Sequence, residues 1–80
     1  MSADAVSAAL AALFRRVLAA PDLVLTSEME TGAHPHWDSI ANVEILIACE
    51  ECWGFEFSSA EIDKIRSFGD LTHAIVARVG

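Results

Sequence analysis

Ser39 is the residue in this chain whose type and setting most clearly invite chemistry. It follows Asp38 and opens a segment of apolar residues at helical spacing that runs to Trp53. A serine at a helix start, at the end of a long loop, offers its hydroxyl to solvent on a rigid mount. A phosphodiester placed there would sit at the positive end of the helix dipole, worth roughly 0.3–1 kcal/mol. No Gly-x-Ser-x-Gly elbow or histidine base surrounds it, so it is a poor self-activated nucleophile. It reads as a site that another enzyme modifies. Taken alone, Asp38 or Ser39 reads far more readily as a plain helix N-cap.

Other reactive side chains point less far. His34, His36, Cys49 and Cys52 are two imidazoles and two thiols, a conceivable zinc set. Cys49, however, falls on the apolar stripe of its helix, where a free cysteine behaves as a small hydrophobe. Three-residue spacing in a helix also suits Cys49 and Cys52 badly for a disulfide, which implies a reducing compartment. His73 reads as a surface residue, and Glu28 and Glu30 lack a partner pattern for acid–base work. Glu44, Glu50 and Glu51 form an acidic face, solvated first and a docking surface second.

Four amphipathic segments must position these residues. Val6, Leu10, Leu13, Phe14, Val17 and Leu18 make the apolar face of a first helix, capped by Ser2 or Asp4 and ended by Pro21. Asp22 to Trp37 loses periodicity and reads as a long loop, with one or two of Leu23, Val24 and Leu25 tucked beneath the bundle. The second helix starts at Asp38-Ser39, turns Ile40, Val43, Leu46, Ile47, Cys49 and Trp53 toward the core, and stops at Gly54. Ser58-Ser59-Ala60-Glu61 is a capping box for a short third helix with Ile62 and Ile65 inward. Ser67-Phe68-Gly69-Asp70 repeats that pattern before a last helix lined by Leu71, Ile75 and Val79. Trp53, Phe55 and Phe57 read as core or core-edge anchors. The predicted fold is all-α, a single-domain four-helix bundle with three longer helices and one short one.

Composition narrows the function. Five basic and 12 acidic side chains give a formal charge of −7. Such a chain has no basic stripe for nucleic-acid phosphates and no attraction to an anionic membrane. The 54 % hydrophobic content is enough for a core, although much of it is alanine. A compact chain of this length has a radius of gyration of roughly 12 Å, with little room for an enclosed catalytic cleft. Met1-Ser2-Ala3-Asp4 carries an acid where a signal peptide carries positive charge, and no apolar run reaches membrane-spanning length. The expectation is a cytoplasmic, monomeric, non-enzymatic protein that works by being recognised.

The stretch Trp37-Asp38-Ser39-Ile40-Ala41-Asn42-Val43-Glu44-Ile45-Leu46-Ile47-Ala48-Cys49-Glu50-Glu51 resembles the attachment segment of acyl carrier proteins: Asp-Ser-Leu, then Val-Glu-Leu, then paired glutamates and an aromatic. The likeness continues through Trp53-Gly54-Phe55-Glu56-Phe57 and Ile65-Arg66-Ser67-Phe68-Gly69-Asp70-Leu71. With the Ala-rich first helix and Pro21-Asp22-Leu23, it covers nearly the whole chain. The resemblance implies that a phosphopantetheinyl transferase attaches 4′-phosphopantetheine from coenzyme A to Ser39. The arm's thiol then holds an acyl group as a thioester. Asp38 matches the acid that presents the site to the transferase and its magnesium. Ile40, Glu44, Glu50 and Glu51 match the surface read by partners: an acyl-activating or loading enzyme, then acyl-processing enzymes such as a ketosynthase or acyltransferase. The acidic charge fits such a shuttle independently, because it steers basic partners to fast encounter without tight binding.

The departures from the family pattern are specific. Ala41 and Asn42 stand where many fatty-acid carriers have an acid, and Trp37 follows an unusual His34-Pro35-His36 approach. Trp-Asp-Ser-Ile is closer to discrete carriers of specialised pathways, and the Gly-Gly-x-Ser pattern of peptidyl carriers is missing. An aminoacyl or peptidyl carrier is the alternative within the fold. A helical adaptor with an acidic face and no covalent chemistry is the alternative outside it.

Overall fold

A computed structural model describes residues 2–79 and has four helices: α1 (Ala3–Val17), α2 (Ser39–Trp53), α3 (Ser59–Lys64) and α4 (Phe68–Val79). Three are longer and one is short, as the apolar periodicity predicts. Among the described residues, β-structure amounts to one isolated antiparallel bridge, Glu30 with Ser67. The radius of gyration is 11.4 Å.

α1 packs on both α2 and α4. Its face of Val6, Leu10, Leu13 and Phe14 is buried, as the spacing predicts. Phe14 is the hub: it meets Trp37 edge-to-face at 4.9 Å between ring centroids, and Phe68 at 5.4 Å. Such pairs are worth roughly 0.5–1.5 kcal/mol beyond their buried area. Ser2 caps the start, its hydroxyl accepting from the Ala5 N–H.

The end of α1 differs from the expectation. The helix stops at Val17, ahead of Pro21, because Ala19 takes a left-handed conformation (φ 51°). Ala19 N–H then donates to the Arg16 carbonyl and Ala20 N–H to that of Arg15, the bond pair of a Schellman cap. A Cβ in that conformation costs roughly 1–2 kcal/mol, partly offset by the stiffer unfolded chain that alanine gives. Ala19→Gly is therefore expected to stabilise the protein by about 0.5–1 kcal/mol in denaturant unfolding. A lower midpoint would show that no strain sits there.

α2 also departs from its predicted face. Ile45, Leu46 and Cys49 are buried, whereas Ile40, Val43 and Ile47 are 73 %, 55 % and 48 % exposed. The predicted stripe is thus corrected: Ile45, left out of it, is a core residue, and Ile40, Val43 and Ile47 face outward. The physical reason is that α2 is apolar nearly all round, so period alone selects no face. Ile62 of α3 is likewise 41 % exposed rather than inward, while Ile65 is half-buried against the core. Gly54 ends α2 in the left-handed region (φ 73°) and the Ser58–Glu61 capping box opens α3, both as expected.

The long loop is tied down through its backbone. Met29 and Ser27 carbonyls accept the Phe68 and Gly69 N–H groups, satisfying helix-start donors of α4. Gly69 makes room for this close approach, since a Cβ there would lie 3.0 Å from the Ser27 carbonyl oxygen and push the loop back by a few tenths of an ångström. Arg15 Nε donates to the Leu23 carbonyl at 2.7 Å. Leu23 and Leu25 pack against the core and Val24 stays exposed.

Candidate functional site

The capping role at α2 falls to Asp38, not Ser39. Asp38 is extended (φ −99°, ψ −174°), and its Oδ1 accepts from the Ala41 N–H at 2.8 Å. Ser39 is thereby the first helical residue, exposed, with its hydroxyl not used as the cap. The capping serines of the other helix starts are spent locally: the Ser2, Ser58 and Ser67 hydroxyls accept from Ala5, Glu61 and Asp70. Ser59 is, like Ser39, an exposed first helical residue behind its cap, but it lacks a preceding acid.

Trp37 anchors the approach to Ser39. Its ring is 3 % exposed against Phe14, and its indole N–H donates to Asn42 Oδ1 at 3.1 Å. Asn42, which stands where many fatty-acid carriers have an acid, therefore serves to hold the tryptophan. The Trp37 carbonyl accepts from Gly32 (2.7 Å), and Trp37 N–H donates to His34 (2.9 Å), closing the loop on itself. His36 Nδ1–H donates to the Leu18 carbonyl at 2.9 Å, tying this loop to the end of α1. The spacing of His34 and His36 carries no sign of that contact.

Beyond Ser39, α2 presents Ile40, Val43 and Ile47 to solvent, with Glu44 and Glu51 exposed beside them. These residues recur at three- and four-residue steps, so the apolar strip and its acids share one side of the helix. A groove of about 480 Å³ lies along it, lined by Arg16, Glu44, Ile47, Ala48, Glu51 and Cys52. A second, of about 410 Å³, runs past Ile47, Glu50, Glu51, Gly54, Phe55 and Glu56. Arg16 is the residue here that sequence spacing did not reveal. It belongs to α1, and only helix packing sets it beside Glu44 and Glu51.

Glu50 stands apart from the other acids. It is half-buried, and its Oε2 accepts from the Phe57 N–H at 2.8 Å, bracing the turn after α2. Cys49 is fully buried, and its thiol is pushed up to about 12, first by burial and then by Cys52 and Glu50 nearby. A thiol held neutral in this way is neither a nucleophile nor a metal ligand. Among the described residues, no group of three or more His, Cys, Asp or Glu side chains is placed to hold a metal ion. Nor, among them, is any helix long and apolar enough to cross a membrane.

No protein-family model matches the chain, and no curated protein matches it. Solved structures do. The holo acyl carrier protein of Geobacter metallireducens superposes with a TM-score of 0.85 at 26 % identity, covering 91 % of this chain and 84 % of that one. A chain from Mycobacterium tuberculosis, provisionally described as an acyl carrier protein, superposes with a TM-score of 0.78 over 94 % of this chain and 99 % of that one. At 20 % identity this second likeness speaks for the fold alone. With four helices in this order and a carrier likeness spanning nine-tenths of its length, the chain has the all-α fold of acyl carrier proteins and is similar to that family.

Proposed function

We propose that this protein is a discrete acyl carrier that bears its acyl group as a thioester on 4′-phosphopantetheine attached to Ser39. It delivers the group between enzymes of a fatty-acid-like, polyketide or other specialised pathway. One observation carries the reading: Ser39 stands exposed at the first turn of a rigid helix whose cap is supplied by its neighbour Asp38. The residues fit the prosthetic group. The hydroxyl is open to a transferase, and a phosphodiester there meets the helix's N-terminal N–H groups and dipole. The bound arm would supply the thiol on which the acyl group travels. The chain's own residues present and orient that arm. Asp38 holds the helix start and is the acid that meets the transferase, while Trp37, fixed in the core, keeps both from swinging.

The experiment is incubation with coenzyme A, magnesium and a broad-specificity phosphopantetheinyl transferase. Intact mass is expected to rise by one phosphopantetheinyl group, located on the peptide that contains Ser39. No gain in mass would leave the non-covalent adaptor as the better reading.

Docking follows from the outward side of α2. Ile40 and the apolar strip behind it supply buried area, and Glu44 and Glu51 supply steering for basic partners. Glu50 adds negative charge, while its bond to Phe57 gives it a bracing task as well. Glu44→Lys is expected to slow transfer to partner enzymes severalfold at low salt and to flatten the salt dependence of association, with the fold unchanged. Identical kinetics across a salt series would remove Glu44 from the docking surface.

A further inference from the structure

α3 poses a question of attachment. None of its residues is buried, and its large apolar residue, Ile62, is 41 % exposed. Apolar burial therefore does little to hold these six residues on the bundle. The capping box that opens α3 is local to it. What reaches it from another helix is the guanidinium of Arg78, near the end of α4. Its Nε donates to Glu61 Oε2 at 3.1 Å, and its Nη2 donates both to Glu61 Oε1 and to the Glu56 carbonyl, the latter at 3.1 Å. The same group lies over the Phe55 ring, 5.2 Å from its centroid. One side chain thus gathers the turn after α2 and the first turn of α3 onto α4. A planar fork matched to a carboxylate, with a backbone acceptor and an aromatic face, is an arrangement that lysine does not reproduce.

We propose that Arg78 is an ionic latch for α3. When it is withdrawn, α3 opens as a unit, hinged at buried Phe57 and half-buried Ile65, while α1, α2 and the core stay closed. Ordinary exposed ion pairs contribute little because each side chain must be immobilised and salt screens the pair. Here the gain is local rather than global: the element being held has little else to hold it. The Glu61 carboxyl is held down to about 2, chiefly by its hydrogen bond from Arg78 and then by the Ser58 backbone, consistent with a pair that stays charged.

The test is amide hydrogen exchange of the whole protein, followed by NMR on the seconds scale. The reporters are the Ile62 N–H, which donates to Ser58, and the Ile65 N–H, which donates to Ile62; the controls are Leu10 and Ile45 in α1 and α2. Arg78→Gln is expected to speed exchange at Ile62 and Ile65 by about three- to tenfold, leaving the controls unchanged. Glu61→Gln keeps a side chain suited to the capping box, removes the charge, and should do the same. The double variant should be no faster than Arg78→Gln alone, because the Glu61 charge acts on α3 through Arg78. Raising the salt from about 0.05 to about 0.5 M should reproduce the effect in the wild type and add little in the variants. Unchanged exchange at Ile62 and Ile65 in both variants would overturn the latch. So would an equal acceleration at the controls, which would make Arg78 an ordinary contributor to overall stability.

Discussion

Ser39→Ala is expected to abolish phosphopantetheinylation completely while leaving unfolding free energy within about 0.5 kcal/mol of wild type. The two halves of this result have separate physical causes. Modification needs a hydroxyl oxygen to bond phosphorus, and alanine has none. Stability hardly changes because Asp38 accepts the capping bond from Ala41, and alanine is the better helix former at an exposed first-turn position. Asp38→Ala supplies the contrast. It removes the cap and is expected to cost about 1 kcal/mol while the Ser39 hydroxyl remains present. Mass spectrometry and denaturant unfolding on the two variants separate chemistry from structure. Residual modification of the alanine variant would place the attachment elsewhere. Ser2, Ser58 and Ser67 make poor substitutes, since each is engaged in its own helix cap.

Trp37→Ala is expected to destabilise the protein by about 3–5 kcal/mol. Native domains have roughly 5–15 kcal/mol in total, and a small one with an alanine-rich core sits toward the lower end. The melting temperature should therefore fall by about 15 °C or more. The variant loses a buried ring, the edge contact with Phe14 and the bond to Asn42, and leaves a cavity directly behind the start of α2. Trp37→Phe keeps the aromatic edge and loses the indole donor. Asn42 is half-buried and can turn to water, so this variant should lose only about 1–2 kcal/mol. Melting of Trp37→Ala within a few degrees of wild type would show that Trp37 is not a core anchor.

Local chemistry made much of this protein readable in one dimension. The capping residues Ser2, Ser58 and Ser67, the stop at Gly54 and the apolar face of α1 all depend on neighbours within one helical turn. Side chains that satisfy the orphan groups at helix ends leave their mark at fixed spacing, so four helices and their approximate limits followed from residue type alone. The place of Ser39 at a helix start was legible for the same reason. The choice between Asp38 and Ser39 as the cap was not, because both types suit the position and only the backbone geometry separates them.

Residues brought together across the chain were decided by the tertiary structure. α2 is apolar on most of its circumference, so which side is buried depended on where α1 lay. That packing took Ile45 inward, left Ile40, Val43 and Ile47 outside, and set Arg16 across from Glu44 and Glu51. The end of α1 was settled in the same way. Its chain reverses at Ala19, where the Schellman bonds accompany Leu18 into the core and the His36 contact to the Leu18 carbonyl, rather than at the proline that local rules favour. The contacts of Arg78 with Glu61 and Glu56 span 17 and 22 residues. Periodicity records which residues share a face of one helix; it holds no information on which faces meet, and in a bundle this small the meeting of faces determines what is left exposed for a partner.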